Sequence, residues 1–353
     1  MQTPLHSATA TAGAQFHDFY GWEIPGSFGS LQEEYEALKQ AAGIIDLAFR
    51  GKVAVTGDDR QIFLHRMLTN EVKGLDPGEG NYCFLLDPQG HILADMNLLK
   101  QRERVLLDCE PFVTGKLVGH LSRFVVAAKV KLEDVSARLG TIGVEGPLSR
   151  EVVCPVLGLE PPHMKPLDHF SLEGDPDLVL VRAAVTGEGL WLLAPVERLR
   201  PLWDRLVEAA RPLGGRPVGV SALEVARIEA GLPRYDTDIE EKNIPQETGQ
   251  FRALSFSKGC YPGQEIVERV RSRGHVNRKL VGLIAPGGET LRPGMQAQEG
   301  DREIGRITSA AYSPGAGRWI ALGYLRRELA EPGIELSVDG VTVQVVPLPF
   351  PRA

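Results

Sequence analysis

The order of apolar and polar positions predicts alternating helices and strands before about residue 277. A capping box at 30–33 (Ser-Leu-Gln-Glu) opens a helix for which Gly43 is the predicted C-terminal cap. Apolar runs on both sides of the turn sequence Asp-Pro-Gln-Gly at 87–90 predict a hairpin. Residues 196–210 carry an apolar stripe at helical spacing, and a second capping box is predicted at 221–224. This mixture indicates an α+β protein.

The pattern changes from about residue 277 onward. Short β-rich runs alternate with glycine and proline turns, and Asp339-Gly340 between two alternating strands is a strong hairpin signal. This tail is typical of a small β-barrel or sandwich. Because 353 residues exceed the usual size of a single core, we expect two α+β parts, 1–140 and 141–276, and a C-terminal β-barrel, 277–353.

Composition narrows the class of protein. An apolar share of 43% and a charged share of 24% are ordinary for a soluble globular protein. A net charge of -7 argues against bulk binding to nucleic acid or an anionic membrane. The chain has neither a basic leader with an apolar run at its start nor an apolar run long enough to span a membrane. We therefore expect a cytoplasmic protein with no membrane or stable nucleic-acid partner.

The segment Lys-Gly-Cys-Tyr-Pro-Gly-Gln-Glu at 258–265 is the most informative local motif. The four cysteines are scattered and form no CxxC pair, which excludes a disulfide framework or a set of metal ligands. Cys260 precedes a predicted helix with Pro262 at its first position, where the helix dipole and Lys258 would favour the thiolate. The alternative is an ordinary free cysteine that behaves as a small buried hydrophobe.

Three other charged residues each allow a functional and a structural interpretation. Asp95 is a lone carboxylate in an apolar strand, either facing a ligand or, as the pattern alone favours, facing solvent. Glu188 lies in a hairpin turn and could recognise a polar heterocycle. Arg227 lies on the helix after residue 221, where an exposed charged face is the simpler interpretation.

Basic residues are concentrated around the cysteine motif. They could bind a carboxylate-rich ligand or an acidic partner, or form a solvated helix face, and the sequence favours neither. The cluster consists of Lys258, Arg269, Arg271, Arg273, His275, Arg278 and Lys279.

Taken together, these residues resemble a known family. The motif at 258–265 resembles the KGC[FY]xGQE signature of YgfZ-type proteins, relatives of the glycine-cleavage T-protein (aminomethyltransferase). Matching segments occur at 19–25, 51–57, 68–70, 227–233, 245–247 and 278–283. The resemblance implies a three-domain ring of the T-protein type around a central cavity that binds tetrahydrofolate. The parts 1–140 and 141–276 would form the folate-binding region, with the cysteine motif in the second.

The resemblance also implies roles for individual residues. Asp95 matches the second aspartate of a paired-aspartate motif beside the folate, and Glu188 matches a glutamate that binds the pterin ring. Asp95 and Cys260 are thereby predicted to be catalytic. The predicted tetrahydrofolate-binding residues are Tyr82, Asp95, Asp108, Glu188, Arg227 and Lys258.

Departures from the T-protein pattern leave the function open. Alanine at 94 replaces the first aspartate of the pair, and the segment 182–190 lacks the T-protein's tyrosine. The first hypothesis is a tetrahydrofolate-binding protein that assists assembly or repair of iron–sulfur clusters, with client enzymes or the assembly machinery as partners. The alternative is a folate-dependent aminomethyltransferase in which Asp95 orients the folate nitrogen. A folate-binding regulator of RNA modification is a third.

Overall fold

The computed structural model describes residues 1–172, 174–299 and 302–351, without the side chains of Pro176 and Arg273. The chain divides into two compact units. Unit 1 comprises Met1–Phe84, Ala94–Leu223 and Ser257–Tyr261. Unit 2 comprises Leu85–Leu93, Glu224–Phe256 and the described residues from Pro262 onward.

Helices and strands alternate along the chain until the C-terminal strands. The helices are α1 (His6–Thr11), α2 (Leu31–Gln40), α3 (Arg60–Met67), α4 (Thr114–Ser122), α5 (Ser149–Leu157), α6 (Val196–Ala210), α7 (Val220–Glu229) and α8 (Gln264–Arg273). The first strands are β1 (Gln15–Phe19), β2 (Trp22–Ser27), β3 (Gly43–Asp46), β4 (Gly51–Thr56), β5 (Gly80–Leu86), β6 (Ile92–Lys100), β7 (Val105–Cys109), β8 (Lys131–Asp134) and β9 (Leu139–Glu145). The later strands are β10 (His169–Leu172), β11 (Asp175–Val181), β12 (Gly189–Pro195), β13 (Arg216–Pro217), β14 (Arg278–Ile284), β15 (Gln296–Glu299), β16 (Arg302–Ser313), β17 (Arg318–Arg326), β18 (Glu335–Val338) and β19 (Val341–Val346).

A mixed six-stranded sheet carries a hydrophobic core of unit 1. Its strand order is β10-β11-β12-β9-β3-β13. Helix α6 packs on this sheet through the predicted stripe, and Leu199, Trp203, Leu206 and Ala210 are all buried. Burying such a stripe is what stabilises an amphipathic helix, since propensity alone is weak.

A second, five-stranded sheet has a polar face. Its order is β5-β6-β7-β4-β8, and the predicted hairpin is confirmed as β5 and β6. Along β6 the even-numbered positions from 92 to 98 are buried and apolar, whereas Asp95 and Asn97 alternate with them. Asn97 and Lys52 both pair in register with Asp108 of β7. Residues opposite each other share a face, so Lys52, Asn97 and Asp108 lie on the same polar face of the sheet.

Unit 2 contains a closed barrel. Its strand order is β14-β17-β16-β15-β18-β19. Asp339 (φ 45°) and Gly340 (φ 83°) form the predicted tight turn, which needs a positive φ at both positions. The short polar strand β15 was not predicted. The α+β class and the C-terminal antiparallel barrel are confirmed.

Three local predictions about helix ends are wrong. Helix α2 ends before Gly43, which instead begins β3, where a Cβ atom would lie 2.7 Å from Leu38 Cδ2. Helix α7 begins at Val220, so Ser221 lies inside it and the predicted capping box does not form. Pro262 lies in a turn, and α8 begins at Gln264 after Gly263, whose φ is +79°.

The predicted boundaries 1–140, 141–276 and 277–353 stay a prediction. Among the helices in the described ranges, none is both long and apolar enough to cross a membrane.

Candidate functional site

Tyr82 and Asp95 form a hydrogen-bonded pair on the polar face of the five-stranded sheet. The Tyr82 hydroxyl donates to Asp95 Oδ2 at 2.7 Å. Burial raises the pKa of Asp95 to about 6; the Tyr82 hydrogen bond opposes the rise, and the nearby Glu110 carboxylate adds to it. A carboxyl group with this pKa can accept or hold a proton close to neutral pH.

Asp108 lies on the same face but is engaged by its neighbours. Arg50 donates from Nε to both carboxylate oxygens, at 3.1 and 3.0 Å, and from Nη2 to Oδ2 at 2.7 Å. Asn97 Nδ2 donates to Oδ2 at 3.2 Å, and the buried Lys52 ammonium is 3.9 Å from Oδ1. The carboxylate therefore fixes Arg50 and Asn97, and a direct folate contact by Asp108 stays a prediction.

Arg50 contacts several residues around this face, although no pattern in the sequence singles it out. Besides Asp108 it contacts Glu110, with Nη1 3.3 Å from Oε1, and its guanidinium lies 5.4 Å from the centre of the Trp191 ring. Its positive charge also lowers the pKa of Asp95, against the effect of burial. No local motif marks it, because its carboxylate partners are about 60 residues away in the chain.

Glu188 lies in the connection between β11 and β12. Arg182 holds this connection by donating to the carbonyl oxygens of Gly187 at 2.7 Å and Gly189 at 3.0 Å. Gly187 has a φ of +91°, which other residues rarely adopt. The Glu188 side chain is exposed, so its carboxylate is available to bind a ligand.

Lys258 is turned into unit 1. Its ammonium group donates to three carbonyl oxygens, those of His65, Leu68 and Asn70, the last at 3.0 Å. Two of them lie at the C-terminal end of α3, where a cation is favourable. Burial lowers the pKa of Lys258 to about 8. Since all three N–H groups are used, Lys258 anchors the cysteine loop, and its predicted role in folate binding stays a prediction.

Cys260 is exposed, unlike the other cysteines. Cys83 and Cys109 are buried, and Cys154 is half-buried. This exposure is what a reactive thiol needs, and it contradicts the alternative of a small buried hydrophobe. The helix dipole and Lys258 give the Cys260 thiolate less support than the sequence predicted. Helix α8 begins four residues after Cys260, and the Lys258 ammonium is bound to backbone carbonyls.

Arg227 lies in unit 2 and is nearly fully buried. It donates to Asp238 Oδ2 at 2.6 Å and to Ser309 Oγ at 2.6 Å, and it pairs with Glu224. Ser309 also donates to Asp238 Oδ1 at 2.7 Å. The network ties α7 to β16, so the exposed charged face that the sequence favoured for Arg227 is wrong. A folate contact by Arg227 stays a prediction.

Much of the basic cluster is neutralised by carboxylates. Arg271 pairs with Glu268, Arg278 with Glu247 and Lys279 with Glu331, each at 3.2 or 3.3 Å. The Arg273 side chain lies outside the described residues. These pairs favour a solvated surface over an anion-binding patch. Among the described residues, no group of three or more His, Cys, Asp or Glu is placed to hold a metal ion.

Comparison with known proteins identifies the family. The GCVT N-terminal domain matches residues 5–258, and the glycine cleavage T-protein C-terminal barrel domain matches residues 278–351. The aminomethyltransferase of Rubrobacter xylanophilus is 31% identical over 360 residues, with 99% of this chain and 94% of the relative covered. The aminomethyltransferase of Alcanivorax borkumensis is 30% identical over 358 residues, with 99% of this chain and 97% of the relative covered.

A solved structure has the same fold. The glycine cleavage system aminomethyltransferase T of Bartonella henselae superposes with a TM-score of 0.92 at 23% identity, covering 99% of this chain and 98% of that one. The match extends over both domain models. This chain therefore belongs to the glycine-cleavage T-protein family.

Proposed function

We propose that this protein is a folate-dependent aminomethyltransferase. The observation that carries the proposal is the Tyr82–Asp95 pair, a hydrogen-bonded carboxyl group whose pKa burial raises to about 6. The relatives that match nearly the whole chain are named aminomethyltransferases. Of the functions that the sequence left open, these findings favour this one over iron–sulfur cluster assembly.

Tetrahydrofolate is the cofactor that membership of the family implies, and the residues fit it. The pterin edge offers adjacent N–H donors, and the exposed carboxylate of Glu188 can accept two of them. Asp95 can accept a hydrogen bond from the reacting folate nitrogen or hold its proton, because its pKa lies near neutrality. Tyr82 holds the Asp95 carboxyl group in place through its hydroxyl. When bound, tetrahydrofolate supplies the nitrogen that accepts the one-carbon unit.

The test compares Asp95→Asn with Cys260→Ala in a reconstituted glycine-cleavage assay. Asparagine keeps the size of the side chain and the acceptor for Tyr82 but cannot take a proton. We expect transfer to fall at least about 100-fold in Asp95→Asn, the usual contribution of a proton-transferring group, and to persist in Cys260→Ala. Full activity in Asp95→Asn, or no transfer by the wild type, would refute the proposal.

A second candidate rests on the exposed Cys260 thiol. In a YgfZ-type branch of the family, this thiol would assist the assembly or repair of iron–sulfur clusters in client enzymes. Such a cluster would be held by the client or the assembly machinery. The test is to delete the gene in its host and restore it as wild type, Cys260→Ala or Asp95→Asn. If the wild-type, Cys260→Ala and Asp95→Asn genes restore the activity of cluster-dependent enzymes equally, this candidate is excluded. A cytoplasmic location stays a prediction under either function.

A further inference from the structure

Glu145 is a buried carboxylate at the end of β9, and backbone N–H groups of the connection between β11 and β12 donate to it. It is fully inaccessible to solvent. The backbone N–H of Val185 lies 3.0 and 2.8 Å from its two oxygens, and the N–H of Thr186 lies 3.0 Å from Oε2. A buried carboxylate is costly unless hydrogen bonds satisfy it. Here two adjacent backbone groups do so.

The same connection is held at further points. The Thr186 hydroxyl lies within hydrogen-bond distance of two acceptors, Glu145 Oε2 at 3.2 Å and the Glu188 carbonyl oxygen at 2.8 Å. The Glu188 carbonyl also accepts from Gly146 N at 2.9 Å. With Arg182 holding two further carbonyls, the backbone around Glu188 is fixed on both sides.

The carboxylate of Glu188 belongs to an exposed side chain. Within the described ranges, no hydrogen-bond donor or cation contacts that carboxylate, although the carbonyl of the same residue is bonded twice. A rigid backbone that presents one unpartnered acceptor is the arrangement that a preorganised ligand contact needs.

We propose that Glu145 is a positioning residue that holds Glu188 in the conformation that recognises the pterin ring. The inference rests on the proposed folate-dependent function and deepens it. Without Glu145, the N–H groups of Val185 and Thr186 lose their buried acceptor and the connection samples other conformations. The apparent dissociation constant rises as the fraction of competent protein falls. If about one-tenth of the molecules stay competent, tetrahydrofolate binds about tenfold more weakly.

The experiment compares Glu145→Ala with a matched control, Glu34→Ala. Glu34 is also fully buried in unit 1 and also accepts two backbone N–H groups, from Phe28 and Gly219, both at 2.7 Å. Melting temperature and the dissociation constant of tetrahydrofolate, by calorimetry under anaerobic conditions, are measured for both. We expect similar losses of thermal stability, with a tenfold weaker folate complex only in Glu145→Ala.

A conservative variant and a double mutant separate positioning from a general loss of structure. Glu145→Gln keeps one acceptor oxygen and is expected to bind within about threefold of wild type. Combining Glu145→Ala with Glu188→Ala should weaken binding no further than Glu188→Ala alone, because the two act through one contact. If Glu145→Ala does not fold, Thr186→Val carries the test, with an expected weakening of about threefold.

The outcomes are distinguishable. Wild-type protein that fails to bind tetrahydrofolate overturns the proposed function and this inference with it. Wild-type protein that binds, with Glu145→Ala or, if that variant does not fold, Thr186→Val binding equally well, overturns the inference alone. Effects of Glu145→Ala and Glu188→Ala that simply add would also contradict it, since independent residues do not act through one another.

Discussion

Replacing Asp95 with asparagine is expected to stabilise the protein at neutral pH while transfer falls at least about 100-fold. In the unfolded chain the carboxyl group ionises with its ordinary pKa of 3.8, whereas in the fold burial raises that pKa to about 6. As pH rises between these values, the unfolded chain releases its proton first, so ionisation favours unfolding. Above the pKa of Asp95 in the folded protein, the destabilisation caused by its ionisation has reached its full size and no longer changes with pH.

The size of this effect follows from the two pKa values. A separation of about two units corresponds to about 3 kcal/mol of stability lost by the wild type at neutral pH. At pH 5 only about half of that loss has developed. Asparagine does not titrate and still accepts the Tyr82 hydrogen bond, so it escapes the loss. The gain in unfolding free energy of Asp95→Asn over wild type should therefore increase by about 1 to 2 kcal/mol between pH 5 and pH 8.

The assay is urea unfolding of both proteins at pH 5, 6.5 and 8, with the m values compared to confirm that the same transition is measured. Asp108→Asn is the matched control on the same face of the sheet. Because Arg50 would lose its buried partner there, we expect that variant to be destabilised by about 3 kcal/mol or more. A difference between Asp95→Asn and wild type that is flat with pH, or that shrinks toward pH 8, would refute the reasoning.

Three further predictions concern neighbouring residues. Tyr82→Phe removes the hydroxyl that lowers the pKa of Asp95, so the limb of the pH–rate profile that reports Asp95 should move to higher pH; an unchanged profile would separate Tyr82 from the site. Lys258→Met leaves three carbonyl oxygens, two of them buried, without their donor, and urea unfolding should show a loss of about 2–4 kcal/mol; a loss below about 0.5 kcal/mol would contradict the anchoring role. Cys260→Ala should alter stability by less than about 0.5 kcal/mol and remove the one thiol that reacts rapidly with a disulfide reagent in the native protein. If the fast-reacting thiol persists in that variant, Cys260 is not the accessible cysteine.

The fold was predictable where neighbouring residues in sequence determine it. Helix α6 shows its stripe over four turns, and the turn at Asp339 carries its own conformational signal. Strand β15 has only four residues, three of them polar, and it pairs because its neighbours are already in place. Helix ends were the weakest predictions, since tertiary contacts can override a local capping pattern. At the start of α7 the backbone N–H of Gly219 donates to Glu34, a residue 185 positions earlier in the chain.

The candidate site was predictable only in part, for the same reason. Asp95 could be selected because a carboxylate is unusual in an apolar strand, and Glu188 was selected through the family resemblance. Arg50 and Glu145 could not be selected, because a charged residue beside an apolar run has no local signature. Their partners lie 58 and 40 residues away. The contacts that orient the site are therefore visible only in three dimensions.

The anchored ammonium of Lys258 also limits where the neighbouring thiol can go. Only Gly259 separates the lysine from Cys260, so the Cα atom of Cys260 stays within about 7 Å of the Cα atom of Lys258, whose side chain is buried. A Cβ atom at Gly259 would meet no neighbour within 4 Å, so the restriction comes from the short length of chain and not from crowding. The sulfur can therefore move only within a short distance of the anchored lysine. Any molecule that reacts with it must bring its own reactive atom to this one spot on the surface of unit 1.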